Sequence, residues 1–448
     1  MARYHLWTVG CQMNVADSER LGLSLDALGY ESTGRAEDAD IVVLNSCVVR
    51  QGAEDKVVGR LESLKSYKRK NPDATIALMG CMVGPRTDAL RERFPHVDFY
   101  LRPQDFSELV EYAAERQGLS CDTDQSLLVP ARPMVSTFVP VIQGCDEFCT
   151  YCIVPYRRGR EKSRPVAELV REAEMLATRG AREITLLGQI VDRYGLDLPD
   201  RPDLAALLRA VHPVEGLERI RFLTSHPRDM SQRILDAVAE LPKACEHLNL
   251  PFQAGSDEVL ERMRRPYTIA EYLALIERAR ETIPGVAVST DVIVGFCGET
   301  DADFQRTMDV LEQVRFDVVH VAPYSTRPGT IAERKLEDDV PPAVKIARRR
   351  AVEELQERIA TEINAPLAGT RQEVLIERRV KGAWTGRTRA NRIVHVQGTD
   401  ADADLDGHLV EVDIVRAGPW SLAGVLPGSD GAAADAAKSP LEIGLTPV

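Results

Sequence analysis

A chain of 448 residues exceeds what one hydrophobic core serves, and its length points to about three domains. An apolar content of 44% with 28% charged residues is that of a globular protein, and no apolar run approaches the ~18 residues of a membrane span. The net charge of -13 excludes wholesale coating of nucleic acid, although it leaves room for a basic face on one domain.

The first residues, "MARYHLWTVGC", enter a strand-like pattern without the basic and apolar segments of a signal peptide. We therefore expect a cytoplasmic protein whose nine cysteines serve metal binding or catalysis rather than disulfides. Between residues 1 and 125 the apolar runs "RYHLWTVG", "DIVVLNS" and "TIALMG" alternate with helical patterns such as "ADSERLGLSLDALG", which reads as an open parallel α/β domain. Each run leads directly into a cysteine: Cys11, Cys47 and Cys81. Ligands of open α/β sheets bind beyond the carboxyl ends of the strands, so neighbouring strands would gather these thiols at one edge. Buried free cysteines are the competing explanation.

Residues 131–363 hold six more strand candidates: "TFVPVIQ", "EITLLGQ", "RIRFLTS", "HLNLPFQ", "VAVSTDVIVG" and "DVVHVAPY". Their alternation with helical stretches predicts a partial (β/α)6 barrel, with active-site loops at the carboxyl end. A charged helix, "PPAVKIARRRAVEELQERIATEI", leads to short alternating runs over 366–428, read as a small β-barrel. The biased tail over 429–448 is expected to be disordered.

After the first strand of the predicted barrel comes "GCDEFCTYC", with Cys145, Cys149 and Cys152 spaced C-x3-C-x2-C. A structural zinc site wants four ligands, and no second pair follows. An electron-carrying cubane cluster also takes four cysteines. Three thiols would leave one iron open to another molecule, with a lone zinc clip or redox pair as alternatives. Cys121, Cys245 and Cys297 show no partner spacing and are assigned to packing.

The stretch "GCDEFCTYCIVPYRRG" resembles the cluster loop of radical S-adenosylmethionine methylthiotransferases. Similarity to that family extends over "GCQMNVADSE", "NSCVVRQGAEDK", "TSHP", "QAGSDEVLERMRR", "VIVGFCGET", "YSTRPGT" and "GRTRANRIVHV", hence over nearly the whole chain. The resemblance implies an N-terminal methylthiotransferase domain, a radical-SAM barrel and a C-terminal TRAM RNA-binding domain. It implies two 4Fe-4S clusters, one on Cys145, Cys149 and Cys152 and an auxiliary one on Cys11, Cys47 and Cys81. S-adenosylmethionine, used twice per reaction, would supply both the radical and the methyl group. Within the family, "GCQMN", "VVR" and "AEDK" look most like the branch acting on tRNA that bears N6-isopentenyladenosine. Its partners would be a tRNA anticodon stem-loop, an electron donor and iron–sulfur assembly machinery, with a monomer sufficing and no membrane.

Polar residues at strand ends are carried over as cofactor contacts: Gln189, Ser225, Gln253 and Asp291, with Tyr151 shaping the loop. Arg157 and Arg158, beside Arg160, are candidates for tRNA phosphates. Between 370 and 395, seven basic residues face two acidic ones. Arg378, Arg387, Arg389 and Arg392 are taken as RNA contacts there, and Trp384 as a stacking platform. Three departures from the family pattern stand out: Ile190 and Asp192 where asparagines are usual, and Cys297 where proline is usual. The expected reaction is methylthiolation at C2 of N6-isopentenyladenosine beside the anticodon. A sibling activity on threonylcarbamoyl-adenosine or a ribosomal-protein aspartate, and a non-catalytic metal-stabilised RNA-binding module, are the alternatives.

Overall fold

The N-terminal runs become the centre of a parallel sheet. In a computed structural model, which describes residues 2–48, 51–119, 134–380, 382–397 and 404–428, five strands form it. They are β1 (Arg3–Thr8), β2 (Glu31–Ser32), β3 (Ile41–Ser46), β4 (Thr75–Gly80) and β5 (Phe99–Leu101), in the order β2-β1-β3-β4-β5. The sequence showed three of the five, since β2 and β5 are two and three residues long. Every residue of β3 and β4 is buried because helices cover both faces. Val42, Leu44, Ile76 and Leu78 meet Val57 and Leu61 on one face, while Ile41, Val43, Ala77 and Met79 meet Leu21, Leu25 and Leu109 on the other. The strand order reverses between β1 and β3, and the ends of β1, β3 and β4 lie side by side at that switch point.

The six barrel candidates also form strands. Two short segments, β7 (Ile142–Gln143) and β8 (Lys162–Ser163), pair antiparallel beside β6 (Ser136–Pro140). The sheet continues from β6 through β9 (Glu183–Leu187) to β10 (Arg219–Phe222), and from β11 (His247–Asn249) through β12 (Ala287–Val294) to β13 (Val318–Pro323). The two three-stranded halves meet at the Ile220–Ala244 bridge and at the bond from Ser225 N to Asn249 O, 3.2 Å. No strand pair joins β13 back to β6 among the described residues, so the barrel is open. The long helix Pro342–Asn364 lies along β13 and caps carbonyls there, its Gln356 amide donating to Phe316 O and Asp317 O at 3.1 Å each. An otherwise bare sheet edge is thereby covered.

The last unit is a closed five-stranded barrel. It consists of β14 (Arg371–Val380), β15 (Ala383–Arg387), β16 (Ile393–Gln397), β17 (Leu409–Ala417) and β18 (Leu422–Val425), ordered β14-β15-β16-β18-β17. Strand β18 had escaped the sequence reading. Cys121, Lys381 and the tail beyond residue 428 lie outside the described residues. Cys245 and Cys297 are buried in the barrel.

The small barrel docks at the amino-terminal end of the large one. Arg219 and Arg221 open β10 and donate to the carbonyls of Arg387, Thr388 and Arg389 at 2.6–2.7 Å. Arg389 grips both carboxylate oxygens of Glu246, just before β11, at 2.7 Å each, and Arg392 reaches Asp317, just before β13, at 2.5 Å. Two predicted RNA contacts are therefore domain-docking residues. Trp384 is corrected as well: at 6% exposure it packs with Val374, Val394 and Val412 in the small barrel's core and offers no stacking face.

Candidate active site at the carboxyl ends of two sheets

Cys11, Cys47 and Cys81 follow β1, β3 and β4 at the switch point. What shapes the site is a lock of buried asparagines that the sequence reading did not single out. Asn14, one turn after Cys11, donates from Nδ2 to Asn45 Oδ1 at 2.8 Å and to Ser46 O at 3.0 Å. Asn45 returns a bond to Asn14 O at 2.7 Å and a second to Ser18 Oγ at 2.9 Å. Asn14 Oδ1 accepts from the Cys11 thiol at 3.2 Å. Both asparagines are fully buried, and buried amides hold position only when satisfied in this way. The "GCQMN" and "LNSC" motifs are thus two halves of one clamp. Gly80 has φ +100°, and a Cβ there would stand 2.4 Å from Asn45 Oδ1, so only glycine lets β4 deliver Cys81 into the same space.

The second triad sits on the rim of the large barrel. Gly144 (φ +73°) lets the loop pass the backbone of Arg160, whose carbonyl oxygen a Cβ would approach to 2.0 Å. Thr150 pins the loop to the far side of the rim by donating from N to Met263 O at 3.0 Å and from Oγ1 to Arg262 O at 2.8 Å. Arg265, buried, donates to the Cys149 sulfur at 3.6 Å and to the Tyr267 hydroxyl at 3.0 Å. Tyr151 stands edge-on to Phe296 in the barrel core.

The four polar residues predicted as cofactor contacts occupy successive strands of this rim. Ser225 N binds Asn249 O, the Asn249 amide donates to Asp291 Oδ2 at 3.4 Å, and Gln253 N binds Asp291 O at 3.0 Å. Gln189 follows β9, which Thr224 ties to β10 by donating from Oγ1 to Gly188 O at 2.7 Å. Gln189 Oε1 is buried without a hydrogen-bond partner among the described residues, while the buried Ser225 hydroxyl and Asp192 carboxylate lie side by side. Asp192 Oδ2 accepts from His226 N at 2.8 Å, and burial pushes the Asp192 carboxyl up to about 7. Burial, with Arg265 next in effect, drives the His226 imidazole down to about 2, so it is neutral at physiological pH. Asn249, Arg265 and His226 went unremarked in the sequence because no spacing sets them apart.

The segments that carry the two triads pack together. Ile153, next to Cys152, is buried in the same apolar cluster as Cys81, Met82 and Val83. Arg158, six residues after Cys152, forms an ion pair at 2.9 Å with Asp17, six residues after Cys11, and their side chains are 2% and 1% exposed. This corrects the reading of Arg158 as a phosphate contact, since it is sealed between two domains. Arg157 is half-buried, and a Cβ on Gly84 would fall 1.9 Å from its Nη1, so it too lies against the auxiliary site.

Burial pushes the Cys81 and Cys145 thiols up to about 12 and raises Cys152 as well, so these three keep their protons until a metal centre displaces them. Among the described residues no three His, Cys, Asp or Glu side chains converge as the ligands of one ion would. Cluster thiolates bind different irons and stand further apart, so this observation disfavours mononuclear zinc and leaves cluster binding intact. Thiol triads that are buried or half-buried, and buried polar groups along the rim, fit two clusters and one polar cofactor.

An open α/β barrel with a C-x3-C-x2-C loop on its carboxyl rim defines a radical S-adenosylmethionine enzyme. Models of known families match accordingly: the Radical SAM superfamily over residues 139–311, the uncharacterised protein family UPF0004 over 3–102 and the TRAM domain over 367–426. A protein of Chloroflexus aurantiacus, named tRNA-2-methylthio-N(6)-dimethylallyladenosine synthase, is 50% identical over 94% of this chain and 91% of its own length. Proteins of the same name from Dehalococcoides mccartyi and Herpetosiphon aurantiacus are each 47% identical, over 94% and 95% of this chain and 98% of their own. Among solved structures, the radical S-adenosylmethionine methyltransferase TsrM of Kitasatospora setae, with cobalamin and a [4Fe-4S] cluster bound, matches with a TM-score of 0.55 at 16% identity. That match covers 86% of this chain and 81% of TsrM, and carries the fold alone. The chain belongs to the tRNA-2-methylthio-N(6)-dimethylallyladenosine synthases, within the radical S-adenosylmethionine methylthiotransferases.

Proposed function

We propose that this enzyme places a methylthio group on C2 of N6-isopentenyladenosine beside the anticodon of tRNA. The observation that carries the reading is the confrontation of two three-thiol sites across the Arg158–Asp17 pair, one for each half of a two-part transfer. When bound, the clusters and S-adenosylmethionine supply the radical and the methylated sulfur that no side-chain acid or base can supply. The protein's part is position and exclusion of water. Cys145, Cys149 and Cys152 hold one cluster and Cys11, Cys47 and Cys81 the other. Arg265 steadies Cys149, and Tyr151 fixes the loop against the barrel wall. Gln189, Ser225, Gln253 and Asp291 supply the polar rim on which the methionine and ribose portions are held, with Asn249 tying three of these four strand ends together.

The RNA-binding module lies at the other end of the barrel strands, and an eight-residue strand spans ~26 Å. We infer that the module grips the tRNA backbone away from the modified base, through Arg378 on the exposed end of β14, while the rim selects the base. Helices long and apolar enough to cross a membrane are absent among the described residues. An electron donor and a source of sulfide complete the reaction, and a monomer contains both triads.

Nucleoside mass spectrometry of tRNA from cells with and without the gene tests the function. The expected result is loss of the methylthio nucleoside with accumulation of N6-isopentenyladenosine. Unchanged nucleosides would sink the assignment and turn attention to threonylcarbamoyl-adenosine or a ribosomal-protein aspartate. Absence of reductive S-adenosylmethionine cleavage would favour a non-catalytic RNA-binding module.

A further inference from the structure

We propose that Arg158 is a positioning residue of sulfur transfer: anchored on Asp17, its guanidinium donates from Nη1 to an anionic sulfur ligand, hydrosulfide or methanethiolate, at the auxiliary site. This inference rests on the function proposed above, in which Cys11, Cys47 and Cys81 hold a cluster with an open position.

A guanidinium brings five donors and cannot shed its charge, so sealing it at 2% exposure is expensive unless those donors are used. Asp17 takes one, from Nη2 to Oδ2 at 2.9 Å. Nη1 is buried with no hydrogen-bond partner among the described residues. Its surroundings identify what it awaits: after Asp17, the groups that would act most strongly on Arg158 once ionised are the auxiliary thiols Cys81 and Cys11. A second cation reinforces the field from the same side, since Arg157 acts on Cys81 in the same way. The anion that fits lies against the auxiliary thiols, on the side facing the barrel.

A purely adhesive role for the ion pair explains less. Desolvation offsets most of what a buried pair gains, so apolar contacts make better glue, and Ile153 already provides them at this junction. Adhesion also leaves Nη1 without a purpose. A planar fork with one arm on Asp17 and the other on a sulfur anion uses the group as its geometry permits. Both helices that carry the pair spring from cysteine loops, so the guanidinium stands at the seam between the two triads.

The test uses the full chain carrying C149A, so that the auxiliary cluster is alone, and compares it with the same chain carrying R158Q or R158K in addition. After anaerobic reconstitution, iron content and Mössbauer spectra report the cluster. Methanethiolate is then titrated and followed by electron paramagnetic resonance of the reduced cluster. The expected result is full cluster content with the apparent dissociation constant raised about tenfold in R158Q, as loss of a charge-assisted hydrogen bond requires. R158K, which keeps the charge but loses the fork, should fall between. Equal affinity in R158Q and the Arg158 protein, with cluster present, overturns the proposal. Should R158Q fail to assemble, R158K decides: raised dissociation upholds the proposal and unchanged dissociation overturns it. A cluster missing even from the Arg158 protein would sink the two-site function itself, and this inference with it.

Discussion

Asp192→Asn should stabilise the protein, and by an amount that grows with pH. The carboxyl is 7% exposed, and burial raises it from 3.8 to about 7. A raised carboxyl favours the folded state fully only below the unfolded value and loses that contribution as pH rises through the folded one. With 1.36 kcal/mol for each pH unit between the two values, the native state is penalised by ~2 kcal/mol at pH 5.5 and by ~4 kcal/mol at pH 8.5. Asparagine carries no such penalty, and its amide oxygen can still accept from His226 N. The advantage of D192N over the parent protein should therefore widen by about 2 kcal/mol between the two pH values. Urea unfolding of the cluster-free proteins at pH 5.5 and 8.5, followed by tryptophan fluorescence and far-UV dichroism, measures it. A difference independent of pH, or an advantage for the parent at pH 8.5, would refute the placement of Asp192 as an acid whose burial outweighs its hydrogen bonds.

Gly80→Ala forces a Cβ to 2.4 Å from Asn45 and 2.5 Å from Ser46 O at a φ of +100°, so it should cost more than ~2 kcal/mol and leave reconstituted protein with about half the iron. Iron analysis and a thermal melt check both. Arg389→Ala strips two charge-assisted bonds from Glu246 and should weaken docking of the small barrel by about 2 kcal/mol, seen in calorimetry as a terminal domain melting apart from the rest. Arg378→Ala should lower tRNA affinity and reduce the salt slope of binding by about 1, leaving S-adenosylmethionine cleavage untouched.

What the sequence made legible follows from how locally each feature is encoded. Strands β1, β3 and β4 announce themselves by apolar runs ending in cysteine, and their parallel alternation already places Cys11, Cys47 and Cys81 at one edge. The six strands of the large barrel were equally plain. Strands β2 and β5 are too short to carry a period, and β18 has only "LAGV". The asparagine clamp was hidden for a different reason: Asn14 and Asn45 meet because β1 and β3 pair in one register, which spacing along the chain does not express. Arginines were the consistent failure. The partners of Arg158, Arg389 and Arg392 lie 141, 143 and 75 residues away, and no local count separates a solvated guanidinium from one sealed between domains.

That failure alters the electrostatic argument for RNA binding. Seven basic residues against two acidic ones between 370 and 395 suggested a strong local field. In the folded protein Arg387 pairs with Glu377 of the same stretch, while Arg371 pairs with Asp413, Arg389 with Glu246 and Arg392 with Asp317, so acids from other segments neutralise three of the five excess charges. Arg378 and Arg379 are exposed on β14, Arg379 donating to Gly382 O and lying over the Trp384 ring, and Lys381 lies outside the described residues. With Arg378 and Arg379 as phosphate contacts among the described residues, we expect a shallow salt dependence rather than the steep one a seven-residue patch would give. On the proposed function, specific binding of tRNA must then draw on the remote rim as well, so substrate affinity should depend on the large barrel as much as on the small one. A measured salt slope well above 2 for tRNA binding would overturn that division of labour.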